Sequence, residues 1–296
     1  MDMTHKQSFA ARFPLVLLVF LAAATACSGQ GGATVPAPNA IPAGWKVFPT
    51  PTENSETMLC ANYAQPEQVS LSDAGALQIV QLPRRAKPIP PPELLPGENT
   101  MPGMAAGISG LRSVLRVENG WLSGFDQGEW GGHLSFVDAN GKATELYQEN
   151  VRGFIETSRG VMVFVGLAHL TLDAGEVLIA EYPITAETKL RHLAPLDGAP
   201  QAFTKTSPDE VLVITTHGIS RIASSGAHQT LTQSKFGILY PNSIVATPGG
   251  AIYAGMRLFV VRLMPTSKPG EYTDQWLVPE SCGQFHREGF TCSCSK

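Results

Sequence analysis

The C-terminal part of the chain repeats one arrangement of short segments four times. Each unit contains a strand-like run, a turn rich in Gly, Asn or Asp, a strongly apolar run, a loop, a third run, a second turn and a weaker last run. Val, Leu, Ile and Thr fill the runs and Gly and Pro are scattered between them, which is typical of many short strands joined by turns. The units occupy residues 113–149, 151–195, 199–234 and 242–279.

Four strands at a spacing of roughly 35–47 residues, with no helical pattern between units, are the signature of a β-propeller. In such a fold each blade packs its two faces on its neighbours. The fourth unit, NSIVATPGGAIYAG…LFVVRL, resembles the blades of NHL-type and sensor-kinase-type propellers. The fold class is therefore predicted as all-β and β-propeller-like, with five or six four-stranded blades. A β-sandwich with regularly spaced strands is the alternative.

The region before the repeats differs in composition. Residues 27–44 are small, rich in Pro and Gly and nearly uncharged, which predicts a flexible tether. The propeller-like domain is predicted over 45–296, with early strands at 68–71 and 76–82 that complete a fifth blade or close the ring. Residues 83–102 hold seven prolines, which predicts an extended loop because packed elements do not tolerate that density.

The N-terminus has the parts of a secretory signal. Lys6 and Arg12 give a weakly basic start, and an apolar run of about 14 residues ends at Ala26. That run is too short to span a bilayer as a helix but fits a cleaved signal. We therefore expect residues 1–26 to be a signal peptide and the protein to be exported.

The end of this signal, LAAATAC, resembles the lipobox of bacterial lipoproteins, with Ala24 where Leu is usual. The resemblance implies that Cys27 is the lipidated, palmitate-bearing first residue of the mature chain. Ser28 after the cysteine resembles an outer-membrane address. The implied location is the outer membrane, with the lipid-anchored domain facing the periplasm. The alternative is an ordinary signal peptide that ends by chance at a cysteine.

Charge excludes some classes of partner. The full chain has a net charge of −4, and loss of Lys6, Arg12 and Asp2 with the signal makes the mature chain one unit more negative. This mild acidity argues against a nucleic-acid partner and against a polybasic, lipid-binding surface. No second apolar stretch approaches membrane-spanning length.

Lipidation of Cys27 would leave an even number of cysteines, which in an exported protein suggests two disulfides. Two of them are only two positions apart and are unfavourable partners for each other. The simplest pairing joins the first to a C-terminal cysteine and closes a small loop with the other two, although three pairings remain open. The candidates are Cys60, Cys282, Cys292 and Cys294. The Cys-rich tail 280–296 also contains His286, and its C-x3-H-x5-C-x-C spacing leaves zinc binding as the alternative.

Aligning the four units places one loop between the second and third strand of each. In a propeller these loops share one rim around the central channel, the usual ligand-binding face. The loops of the first two units are expected to be enlarged, and the glycines beside Glu129 to permit sharp turns. The predicted ligand- or partner-binding rim consists of Asp126, Glu129, Trp130, His133, His169, Asp173, His217 and Arg257.

Three interpretations of this rim remain open. A docking surface would use Trp121 or Trp130 as an aromatic anchor. A structural interpretation has the aspartates capping tight turns and the histidines satisfied within the blades. A metal interpretation would resemble propeller lactonases and related hydrolases, with a divalent ion that polarises a carbonyl or activates water. Its candidate ligands are Asp126, Glu129, His169, Asp173 and His217.

No nucleophile elbow, zinc-binding helix, phosphate-binding glycine loop or paired-carboxylate helix occurs in the sequence. The preferred hypothesis is a non-enzymatic, membrane-tethered propeller that binds another envelope protein or an envelope component, as a scaffold, an assembly factor or an inhibitor or immunity protein. No cofactor is expected in that case. The alternative is a metal-dependent hydrolase that acts on a small periplasmic substrate.

Overall fold

The computed structural model describes residues 40–53, 55–84, 95, 110–234 and 236–282, together with the backbone of 284–287 and 290–293. The expected signal peptide, Cys27, and most of the tether and of the Pro-rich loop lie outside the described residues. Within the described part, no helix is long and apolar enough to cross a membrane.

Four antiparallel sheets each take their strands in consecutive order along the chain. Sheet 1 consists of β4 (Leu111–Val117), β5 (Gly120–Asp126), β6 (Gly132–Asp138) and β7 (Ala143–Tyr147). Sheet 2 consists of β8 (Val151–Glu156), β9 (Gly160–His169), β10 (Leu172–Glu181) and β11 (Leu190–Leu196). Sheet 3 consists of β12 (Ala202–Ser207), β13 (Glu210–Ile214), β14 (Gly218–Ala223) and β15 (His228–Gln233). Sheet 4 consists of β16 (Ser243–Ala246), β17 (Ile252–Gly255), β18 (Val260–Pro265) and β19 (Tyr272–Pro279).

The N-terminal strands attach to sheet 4. β1 (Trp45–Phe48) pairs antiparallel with β19 as a fifth strand of that sheet. β2 (Glu67–Leu71) and β3 (Leu77–Gln81) form a hairpin of their own, close to the two predicted strands. Val69 of β2 packs in one cluster with side chains of sheet 4. One edge strand and one hairpin therefore extend the array beyond the four sheets.

The sequence did not predict the helix α1 (Glu56–Ala61), whose six residues are too few to show a helical period. Its first turn is capped by Ser55, whose side-chain oxygen accepts the N–H of Met58 at 3.3 Å. At the other end of the chain, β20 (Gln284–Arg287) and β21 (Phe290–Ser293) pair as a short hairpin.

The core lies between successive sheets. On β9, Val163 packs in a cluster with Leu134 of sheet 1, whereas the next residue, Phe164, packs with Val213 of sheet 3. On β13 the same alternation continues, because Leu212 joins a third cluster with side chains of sheet 4. Successive side chains of a strand point to opposite faces. Each of these sheets is therefore covered on both faces by its neighbours, which explains their continuous apolar central strands.

This arrangement confirms the prediction of an all-β, β-propeller-like fold. The first strands of neighbouring sheets lie against one another, as β4 does with β8, β12 with β16 and β16 with β2. A sandwich would instead place its strands in two facing sheets. The four units of the sequence correspond to sheets 1–4, and the total number of blades stays a prediction.

Two of the candidate cysteines have described side chains. Cys60 of α1 and Cys282 are both disulfide-bonded. Cys292 lies on β21, whose side chains are outside the description, and Cys294 lies beyond the described residues. The pairing therefore stays a prediction, whereas the predicted zinc spacing loses its first ligand because Cys282 is disulfide-bonded.

Candidate functional site

The loops between the second and third strands of sheets 1–4 are linked by side-chain and backbone contacts. We call the surface that they form the loop rim. It comprises residues 127–131, 169–173, 215–217 and 256–259, together with the connecting segment 237–242 that lies between the last two loops.

In sheet 1 the loop contains a short 3-10 turn, Gly128–Trp130. Gly128 has a φ of 61° and Gly131 a φ of 91°, and glycine is the residue that adopts such angles without strain. Asn150, in the segment before sheet 2, fixes the loop through two hydrogen bonds of its side-chain amide. Its Oδ1 accepts the Gln127 N–H at 3.1 Å, and its Nδ2 donates to the Gly128 oxygen at 3.0 Å. The turn leaves Trp130 exposed.

Asp126 and His133 flank this loop but do not lie on its surface. Asp126 is buried, its Oδ2 lies 2.5 Å from Arg152 Nη1, and its Oδ1 accepts the Gly128 N–H at 3.0 Å. His133 is also buried, with its ring stacked on Phe125 at 5.2 Å. Asp126 therefore supports the loop and is engaged by Arg152, so it does not face a ligand on the rim. His133 also lines a cavity beside Trp130, and its predicted part in ligand binding stays a prediction.

The loop of sheet 2 is not enlarged, contrary to the prediction. Leu172 pairs with His169, so the turn contains only Leu170 and Thr171. The unit is long because β9 and β10 have ten residues each. Leu170 is 93% exposed and has a left-handed φ of 53°. The extension brings His169 Nε2 to within 3.4 Å of Glu129 Oε2, which links sheet 2 to sheet 1.

Asp173 links sheet 2 to sheet 3. Its Oδ1 accepts the backbone N–H of Ala199 at 2.8 Å, in the segment between the two sheets. Its Oδ2 accepts a hydrogen bond from the Thr216 hydroxyl and lies 3.1 Å from Nε2 of His217. Thr216 and His217 belong to the rim loop of sheet 3. The carboxylate therefore joins three chain segments, whereas the sequence-based alternative had it cap a turn.

Backbone hydrogen bonds continue the contacts from sheet 3 to sheet 4. The Thr216 oxygen accepts the N–H of Gly237 at 3.1 Å, and the Leu239 oxygen accepts the N–H of Arg257 at 2.8 Å. The Arg257 guanidinium lies 3.7 Å from the centre of the Tyr240 ring and donates to the Asn62 backbone oxygen at 2.8 Å. Burial lowers the pKa of Arg257. Arg257 is thus at the rim, where its charge is already engaged.

The five metal-ligand candidates do not converge on one point. Glu129 pairs with His169, Asp173 with His217, and Asp126 with an arginine. Among the residues with described side chains, no group of three or more His, Cys, Asp or Glu residues could hold a metal ion.

Of the two anchor candidates, only Trp130 lies at the rim. Trp121 pairs with Arg116 near the β4–β5 turn, at the opposite end of sheet 1.

Apart from Trp130, the exposed apolar side chains on the rim were not predicted from the sequence, because the predicted rim rested mainly on polar residue types. Most of the large apolar side chains that the described structure exposes belong to the rim, to the strand end beside it or to α1. This set comprises Leu59, Leu111, Trp130, Leu170, Leu172, Ile238 and Tyr240. A leucine inside a predicted turn was the available signal, because tight turns favour Gly, Asn and Asp.

A cavity of about 280 Å³ opens beside Trp130 on sheet 1. Its wall includes Gln127, Glu145, Gln148 and Glu149 in addition to the indole. A second cavity, of about 470 Å³, lies at the opposite end near Tyr182.

No protein-family model matches the sequence, and no curated protein matches it. Among solved structures, a streptogramin B lyase is 14% identical with a TM-score of 0.37, and the match covers 71% of this chain and 68% of the lyase. An auxiliary nutrient binding protein from Bacteroides thetaiotaomicron is 11% identical with a TM-score of 0.34, covering 54% and 40%. An inactive virginiamycin B lyase variant from Staphylococcus aureus with quinupristin is 13% identical with a TM-score of 0.31, covering 80% and 89%. TM-scores of this size transfer no ligand or reaction to this chain.

Proposed function

We propose that this chain is an exported lipoprotein whose propeller-like domain binds another envelope protein through the loop rim. The observation that supports the proposal most strongly is the almost complete exposure of Leu170, at the tip of the β9–β10 hairpin.

Neither packing nor backbone geometry accounts for a leucine at this position. A left-handed conformation costs a residue with a side chain about 1–2 kcal/mol, and two-residue hairpin turns favour Asn-Gly or Asp-Gly instead. With 93% of its surface in solvent, Leu170 gains almost nothing from burial within the chain. Burying it against a partner would gain roughly 1.5–3 kcal/mol. Contact with a partner is therefore the physical reason we assign to this side chain.

The surroundings of Leu170 have the composition of a protein-binding surface. Leu172 is exposed two residues later, and Trp130 lies in the neighbouring loop, which contacts β9. Tryptophan is enriched among the residues that dominate binding energy, and a polar margin around an apolar centre is usual. The Glu129–His169 pair supplies such a margin between the two loops.

The rim is also held in place before binding. Asn150 fixes the first loop, Asp173 joins the second to the third, and backbone hydrogen bonds join the third to the fourth. A surface that is already ordered loses less conformational entropy when it binds.

The membrane anchor belongs to the same proposal and rests on the sequence alone. Lipid on Cys27 and the tether that follows would keep the domain at one membrane surface, which we propose is the periplasmic face of the outer membrane. Tethering raises the effective concentration of the domain near partners on that surface. A scaffold, an assembly factor or an inhibitor would use such an arrangement.

The experiment compares envelope proteins that co-purify with the wild-type chain and with two matched variants. Leu170→Asp places a charge on the rim, and Val80→Asp places one on an exposed apolar residue of β3. We expect one partner to be lost with the first variant and kept with the second, while both variants unfold at similar temperatures. Equal capture by both variants would contradict a docking role for the rim.

A further inference from the structure

The cavity beside Trp130 has features that point to a ligand of defined chemistry. We propose that it receives the guanidinium group of an arginine side chain presented by the bound partner. This inference rests on the proposed function, because it places the cation on the protein that the rim docks.

The charge of the cavity wall is negative and unneutralised. Glu145 in the middle of β7 and Glu149 in the following segment are both exposed, and neither forms an ion pair with any described residue. Arg152, the next cation along the chain, is already paired with Asp126. Two free carboxylates on one small cavity attract a cation and repel an anion.

The indole adds a surface that suits the same ligand. Trp130 is 67% exposed and lines the cavity together with the two carboxylates. A guanidinium group is planar, stacks on aromatic faces and is attracted to the electron-rich face of tryptophan more than to that of other rings. An apolar ligand would gain the aromatic contact but would leave both carboxylates without a cation.

A third observation, independent of charge, is the side chain of Gln127. It lines the cavity, and the residue is only 6% exposed. Its backbone N–H is used by Asn150, but its side-chain amide makes no hydrogen bond with any residue that the structure describes. The amide reaches the open space of the cavity, where a ligand can replace the water that would otherwise hydrogen-bond it. The Oε1 of this amide can accept an N–H from a guanidinium that lies against the indole.

The volume of the cavity favours a single side chain over a larger ligand, and the number of hydrogen-bond donors favours arginine over lysine. The volume of about 280 Å³ lies below the roughly 300–1,000 Å³ of pockets for drug-sized ligands, which suits the end of one side chain. Arginine offers five N–H donors in a fixed plane, so it can serve two carboxylates and an amide while it stacks. A lysine ammonium is a point charge that cannot stack on the ring in the same way.

The test measures binding of an acetylated, amidated Gly-Arg-Gly peptide to the full chain purified in detergent. The readout is the NMR signal of the Trp130 indole N–H, identified by its loss in Trp130→Phe. The control peptide carries citrulline, which keeps the shape of arginine without its charge. The double variant Glu145→Gln/Glu149→Gln removes both carboxylates, and Glu118→Gln removes one exposed carboxylate in the β4–β5 turn, at the opposite end of sheet 1.

We expect saturable binding of the arginine peptide, weakened about tenfold or more by citrulline or by the double variant and unchanged in Glu118→Gln. Equal binding of the two peptides, or no shift at millimolar peptide, would overturn the proposal. If free arginine bound more tightly than the peptide, the cavity would be a site for a small molecule, and the proposal of a partner's side chain would be overturned. If the double variant keeps the envelope partner that Leu170→Asp loses, the arginine site fails while the rim proposal stands.

Discussion

The Nε2 atom of His217 lies 3.1 Å from Oδ2 of Asp173, across the boundary between sheets 2 and 3. The same carboxylate accepts hydrogen bonds from Ala199 and Thr216, so one side chain of β10 fixes the segment between the two sheets and the next rim loop. The loops of sheets 2 and 3 are thereby coupled. A substitution at Asp173 is expected to affect the rim loop of sheet 3 as well as the β9–β10 hairpin.

The substitution Asp173→Ala should destabilise the domain. It leaves the Ala199 N–H and the Thr216 hydroxyl without their acceptor, and removing a charged acceptor of this kind costs about 1–3 kcal/mol. Urea unfolding measures the loss. The control Glu271→Ala removes an exposed carboxylate that has only a 3.5 Å pair with Lys268 and should change the unfolding free energy much less. Similar losses in the two variants would show that the links of Asp173 do not stabilise the fold.

Leu170→Asn should separate stability from binding. Asparagine tolerates the left-handed conformation better than leucine, so the free energy of unfolding should stay the same or rise by a few tenths of a kcal/mol. Binding of the envelope partner should fall, because the variant removes the exposed apolar side chain. Thermal unfolding and co-purification provide the two measurements. A clear drop in stability would mean that Leu170 has a structural role instead.

The buried carboxyl group of Glu67 should make the stability of the domain depend on pH. Burial raises the pKa of Glu67, and the hydrogen bond from Gln81 Nε2, at 2.8 Å, opposes the rise only in part. Because the pKa is higher in the folded than in the unfolded chain, this group favours folding at low pH. Its contribution is lost as the pH rises through the folded pKa.

The substitution Glu67→Gln keeps an acceptor for Gln81 but removes the charge. The variant should therefore be more stable than the wild type near neutral pH, with the difference shrinking as the pH falls toward about 4. Denaturant unfolding at several pH values measures the effect. A variant that is less stable at neutral pH would show that the charged carboxylate is favourable where it lies.

Cys27→Ser tests the anchor. We expect the variant to be exported but to leave the membrane fraction, because the thiol that would carry the lipid is gone. Fractionation of cells, with metabolic labelling by a fatty acid, measures both effects. Continued labelling and membrane association in the variant would rule out lipid attachment at this residue.

Much of the fold could be predicted because the repeat pattern is local. Turn residues and apolar runs within each unit determine the four strands, and alignment of the units placed Glu129, His169, His217 and Arg257 on loops at the same end of their sheets. The six-residue helix α1 was missed, since so short a segment shows no period.

The roles of individual side chains could not be predicted from the sequence, because they depend on contacts between units. Asp126 resembles a free ligand in the sequence, but Arg152 of the next unit neutralises it. The second loop was expected to be enlarged, whereas the extra residues of its unit lengthen β9 and β10. The open amide of Gln127 depends on packing around a cavity, which no spacing of residues reveals.

The most direct test of the rim is site-specific photo-crosslinking in living cells of the native organism. A photoreactive phenylalanine analogue replaces Leu170 in one strain and Tyr182, an exposed side chain just beyond the opposite end of β10, in another. We predict that Leu170 yields one discrete cross-linked envelope protein and that Tyr182 does not yield it. Cross-linking of the same protein from Tyr182 alone, or of no discrete protein from Leu170, would contradict the rim as the binding surface.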